Sequence, residues 1–168
     1  MTDTPTIRCV GCGAPFPDVA GPTHPYMESC PGCWAAYGEL LAREYGSREH
    51  GVLHRLTVDA YAVQHPGHPS RRSAQSVAVH LMSLCLVLER GMPAQKATGV
   101  LAAAVDAGGP YEWLPPPASR GDITVAYVLG SDSAKDHVER VRGWASGAWK
   151  AWAAHHGLVD SWVRALIR

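Results

Sequence analysis

Hydrophobic positions recur at helical spacing over most of the second half of the chain. From Ser133 to Arg168 the residues His137, Val141, Trp144, Ala148, Trp152, His155, Val159 and Trp162 follow one another at three or four positions and trace one stripe. The stripe runs through Gly157, which predicts one long helix kinked there. Upstream, Ser70 is placed to cap a helix from Arg71 to Arg90 that Gly91 stops, and Pro93 opens another reaching Val105. Val52 to Gln64 reads as a further helix, ended by the Pro66-Gly67-His68-Pro69 turn because the residue before a proline avoids helical geometry. Residues 34–46 are good helix-forming sequence despite Gly38. Ile123 to Leu129 suits a short helix capped by Asp122, no partner strand being evident, and Ala107 to Gly121 is a long loop. The pattern predicts a mainly α protein, a helical bundle forming one domain over residues 1–168.

The first 33 residues break the pattern. Pro15, Pro17, Pro22 and Pro25 disfavour both helix and central strand, so this segment buries little by itself. It carries Cys9-Val-Gly-Cys12 and Cys30-Pro-Gly-Cys33, two C-x-x-C pairs separated by residues 13–29, the spacing of a closed four-sulfur zinc site. Cys9, Cys12, Cys30 and Cys33 are the expected ligands, and His24 between the pairs could replace one thiolate or donate to one. Structural zinc contributes on the order of 10 kcal/mol to folding, which would supply the order the segment lacks. A knuckle over residues 9–33 leading into a helix is a treble-clef-like arrangement docked on residues 34–168. A thiol redox pair is the competing reading of Cys-Pro-Gly-Cys, but that chemistry usually follows a strand in a βαβ unit. Disulfides would need an oxidising compartment, and Met1 to Pro15 has no signal-peptide pattern.

Charge narrows the partners. Lys and Arg total 15, balanced by 15 Asp and Glu, and the residues up to Cys33 carry only Asp3, Arg8, Asp18 and Glu28. A nucleic-acid-binding finger needs a basic face, so no nucleic-acid partner is expected. The longest apolar run, Val77 to Leu88, is short for a membrane span and is interrupted by His80 and Ser83. A cytoplasmic protein without membrane attachment is expected.

The candidate chemistry outside the cysteines lies in nine histidines. His54, Tyr61 and His65 share a face of their helix, His80 stands among Val77, Val79, Leu81 and Leu84, and His155 lies on the tryptophan stripe. Helical bundles build internal sites in this way. In one reading, His54 or His65, His80 and His155 bind a second metal with an open position while Tyr61 or Gln64 orients a substrate or water. In the other, each histidine is satisfied separately by a neighbouring side chain, carbonyl or helix end. Asp59, one turn from Arg55, suits a surface ion pair. Two function classes follow. One is a zinc-binding small-molecule enzyme or binding protein with a pocket lined by His54, Tyr61, His65, His80 and His155. The other is a non-enzymatic adaptor holding a partner protein through the knuckle or the Tyr111 to Pro117 loop.

Cys9-x-x-Cys12-Gly-Ala-Pro, Cys30-Pro-Gly-Cys33-Trp34, Gln64-His65-Pro66-Gly67 and Trp149-x-x-Trp152-x-x-His155-His156 together resemble an uncharacterised bacterial family of unknown function. The resemblance spans nearly the whole chain and implies that these motifs form one structural unit. It implies no activity.

Overall fold

The computed structural model describes residues 5–168 and is mainly helical. Two short strands, β1 (Thr6–Arg8) and β2 (Pro15–Pro17), pair antiparallel with Ile7 opposite Phe16. The hairpin accommodates Pro15 and Pro17 because a two-stranded ribbon is all edge. Seven helices follow among the described residues: α1 (Pro31–Gly46), α2 (His54–Gln64), α3 (Arg71–Leu84), α4 (Ala94–Asp106), α5 (Val125–Leu129), α6 (Ala134–Ala151) and α7 (His156–Leu166).

Local signals explain most boundaries. Pro31 occupies the first turn of α1, where a missing N–H costs nothing. The Ser70 and Ser133 hydroxyls accept from the N–H groups of Ser73 and Asp136 and so cap α3 and α6. Gly91, at φ +62°, turns the chain after α3 has run on through a wider π-type turn over Cys85–Glu89. The short helix α5 is entered from Thr124 rather than Asp122, and neither side chain caps it.

The C-terminal stripe is broken earlier than expected. Gly157 lies inside α7, and the bend falls at Trp152 to His155, where a 3-10 turn joins α6 to α7. The Trp149 carbonyl explains the position: it accepts from the Trp152 N–H and from Nε2 of His156 at 2.9 Å. The His156 ring stacks on Trp149 with centroids 3.7 Å apart, which holds the turn. The stripe still faces inward on both sides of it, with His137, Val141, Trp144, Ala148, Trp152 and Val159 all buried.

Helix α2 is central, with α3 and α6 packed on it. Trp144, Trp152, Tyr61, Leu56, Leu81 and Leu86 fill the surrounding core. Gln64, fully buried near the end of α2, is satisfied on both amide atoms. Its Nε2 donates to the carbonyls of Arg120 and Ile123 at 2.9 and 2.8 Å, and its Oε1 accepts from Trp144 Nε1 at 2.8 Å. That one amide ties α2 to α6 and to the end of the long loop, and it fixes the residue that follows, His65.

Candidate metal centre

Cys9, Cys12, Cys33 and His65 form a group able to hold a metal ion, their ligand atoms all lying within 4.8 Å of one another. Cys9 comes from the end of β1, Cys12 from the hairpin turn, Cys33 from the first turn of α1 and His65 from the residue that ends α2. Cys9 Sγ and Cys33 Sγ stand 3.5 and 3.4 Å from His65 Nε2, and Cys12 Sγ stands 3.9 Å from Cys33 Sγ. Zinc bonds of about 2.3 Å to sulfur and about 2.0 Å to nitrogen, at tetrahedral angles, set sulfur and nitrogen about 3.5 Å apart and two sulfurs about 3.8 Å apart. The observed edges match that tetrahedron.

The imidazole is oriented from behind. His65 Nδ1 lies 2.7 Å from the Tyr61 carbonyl, which can only accept, so the hydrogen is on Nδ1 and the Nε2 lone pair points at the sulfurs. Tyr61 adds a second support. Its ring stacks between Tyr37 and His65 at 3.8 and 3.9 Å, and its hydroxyl donates toward Cys33 Sγ at 3.6 Å. Burial pushes that hydroxyl far up from its ordinary pKa, so it remains a donor.

The clustered sulfurs also act on one another. Hydrogen bonds from Cys12 and Cys33 hold the Cys9 thiol far below its usual range, while the bonds to Cys12 and Cys9 drive Cys33 far above it. Sulfurs this close share one negative charge unless a positive charge sits among them.

Two glycines let the parts meet. A side chain at Gly11 would overlap the His65 ring, and one at Gly32 would lie 2.7 Å from the Pro17 carbonyl. Arg120, from the long loop, donates to the carbonyls of Val10 and Gly11 and clamps the hairpin turn from outside.

The other residues expected at functional positions are distributed as follows. Cys30, buried at the N-terminus of α1, is not one of the four, although its thiol lies beside that of Cys9, and its carbonyl accepts from the Trp34 N–H. His24 accepts from the N–H groups of Tyr26 and Met27 and shapes the turn before α1. His54, His65, His80 and His155 do not share a partner. His54 Nδ1 meets Glu44 Oε2 at 2.6 Å, His80 Nδ1 meets Asp59 Oδ1 at 2.8 Å, and His155 Nε2 meets the Pro115 carbonyl at 2.9 Å. Tyr61 belongs with His65 at the sulfur group and is fully buried.

Two carboxylates are buried, Glu44, for which the sequence offered no role, and Asp59, for which it suited a surface ion pair. Glu44 accepts from Thr57, His54 and His137 inside the bundle, with His137 itself at 0% exposure. Asp59 is likewise at 0%: the ion pair with Arg55 is present at 3.0 Å, but it is internal and shared with His80 and Ser83. Nothing in the spacing distinguishes these acids from surface ones. Each is buried because its helix is turned toward a neighbour that carries histidines.

The model of a family of unknown function, DUF5946, matches residues 7–153. The chain belongs to this family. The matched span takes in all four residues of the metal group together with Asp59 and His80, and it ends just before α7. No curated protein and no solved structure matches the chain.

Proposed function

We propose that the chain is a zinc-binding protein whose metal is structural, held by Cys9, Cys12, Cys33 and His65. The observation that carries this is the position of His65. Three ligands come from the knuckle and its following helix, while the fourth comes from the far end of α2, so the ion would fasten the N-terminal segment to the helical body. Three thiolates with one imidazole are a standard zinc set, and the tetrahedral edges suit an ion with no geometric preference of its own. A hairpin turn and a helix start that supply the sulfurs also agree with the treble-clef order, the fourth ligand being replaced from outside.

Four protein ligands leave no open position, so the metal does not itself activate water or substrate. Any chemistry is carried by side chains away from it, and the acid–base pair described below supports an enzyme or small-molecule-binding role over an adaptor. The loop offered for an adaptor is engaged within the molecule. Leu114 is buried, Tyr111 meets Trp162 edge to face at 5.1 Å, and the Pro115 carbonyl holds His155. The adaptor reading rests on the knuckle, where Ile7, Val10 and Val19 are exposed.

Elemental analysis tests the assignment. Purified protein is expected to contain one zinc per chain, with Cys12→Ser and His65→Ala losing it and Cys30→Ser keeping it. Zinc lost from Cys30→Ser and kept in His65→Ala would restore the all-cysteine site and refute the Cys3His set.

A further inference from the structure

We propose that Asp59 and His80 form an acid–base site that takes a small oxyanion-bearing ligand, a carboxylate or a phosphate, in the cavity beside α3. The cavity measures about 300 Å³, and its lining includes Tyr26, Arg72, Gln75, Ser76, His80 and Val105.

 

The volume is that of a small molecule, and five of the six lining residues named offer a polar group. Tyr26 comes from the loop before α1 and Val105 from the end of α4, so the residues of α3 form the floor between them.

The imidazole is arranged as a base with an orienting partner. His80 Nδ1 lies 2.8 Å from Asp59 Oδ1, and a carboxylate accepts, so Nδ1 carries the hydrogen. Nε2 is then the ring atom left for a ligand, and among the described residues no protein group meets it. Asp59 is itself fixed, at 0% exposure, by Arg55 Nε at 3.0 Å and by the Ser83 hydroxyl at 2.5 Å. A base held by a buried acid that is held in turn by its own donors is the arrangement by which proteins position a histidine for proton transfer. The side chain of His80 is 18% exposed, enough to reach a bound ligand while its partner is fully desolvated.

The ligand class follows from what surrounds that nitrogen. Arg72 lies on the same face of α3, two turns before His80, with its guanidinium 5.6 Å from the centre of the Tyr26 ring. Among the described residues it forms no ion pair, so its charge is available to an anion. Gln75 and Ser76 add neutral hydrogen-bonding groups on the same wall. The charged and titratable groups around His80 are therefore Asp59 and Arg55 from α2, Arg72 from α3 and Tyr26 from the loop. In the proposed step, Nε2 takes a proton from the bound ligand. The resulting imidazolium is stabilised by the Asp59 carboxylate, and the proton is returned from Nε2 to the ligand.

Inorganic phosphate and acetate, titrated separately into zinc-loaded protein and followed by the ¹⁵N and ¹H resonances of His80, test the site. A saturable shift of the Nε2 resonance is expected, weakened at least about tenfold by Arg72→Gln and unaffected by Arg71→Gln, which removes a charge outside the cavity lining. Stronger binding of phosphate would identify a phosphoryl ligand, and stronger binding of acetate a carboxylate. His80→Gln, followed through the backbone amide resonances of Gln75 and Ser76 in the cavity lining, is expected to abolish saturation. Because Arg72 is exposed, its variant keeps the test decisive even if His80→Gln does not fold. No saturable shift with either anion, or equal loss in the Arg71 and Arg72 variants, would overturn the proposal. Zinc content is measured in every variant, so that failure of this site and failure of the metal assignment remain distinct.

Discussion

At the scale of single residues, several buried polar side chains are matched by partners from other elements. Gln64 is the clearest, since its amide bonds to two carbonyls and to Trp144 at once. Trp144→Phe removes the N–H and shrinks a fully buried ring, leaving Gln64 Oε1 without a donor beside a small cavity. The unmatched acceptor alone should cost about 1–3 kcal/mol and the cavity adds to it, read together as a lower urea midpoint at unchanged slope. A smaller loss would mean that another donor reaches the amide oxygen. Gly11 is a steric counterpart. Gly11→Ala would press a methyl into the His65 ring, so weaker zinc retention against a competing chelator is expected, with secondary structure largely unchanged by circular dichroism. Zinc retention equal to that of the native protein would show that the hairpin turn can retreat from the ring.

At the scale of elements, the sequence was most legible where one side chain decides a local outcome. Ser70 and Ser133 cap their helices, Gly91 turns the chain, and the residues before Pro66 end α2. It was least legible where two distant elements decide together. The C-x-x-C pairs point to a group near the N-terminus that could hold a metal, but spacing alone does not bring His65 from α2 to Cys9, Cys12 and Cys33. The available hint was Gln64-His65-Pro66-Gly67. A proline stops the helix, and Gly67 at φ +74° turns the chain away beneath the Tyr26 carbonyl, leaving the His65 ring projecting from the helix end. The histidine pocket illustrates the same difficulty. His54 and His65 share a helical face, yet His54 lies at the start of α2 against Glu44 of α1, while His65 lies at its other end against the sulfurs. Asp59 meets α3 instead, where it finds His80. Helical periodicity assigns a face, whereas the partner of each residue depends on which helix packs against that part of the face.

At the scale of the whole molecule, the proposed metal and the bundle would support different regions, and their losses should separate. The helices supply most of the core, with Leu56, Trp144, Trp152, Leu81 and Leu86 buried, and that core runs on into Phe16 and the cysteines. Among the described residues, the hairpin buries little beyond Phe16 and the sulfurs, and Arg120 clamps its turn. Removing zinc should therefore open residues 6–33 while α2, α3 and α6 stay folded, because the binding free energy is spent mainly on ordering the segment that cannot order itself. Hydrogen exchange before and after chelation measures this directly. Protection is expected to fall across β1, β2 and the first turn of α1, and to persist in the centres of α2, α3 and α6. Acid should act in the same direction, since protons compete with zinc for the thiolates and the imidazole, so retention falls as the pH falls. Uniform loss of protection through all helices would show instead that the ion is required by the entire fold, and that the knuckle and the bundle unfold as one cooperative unit.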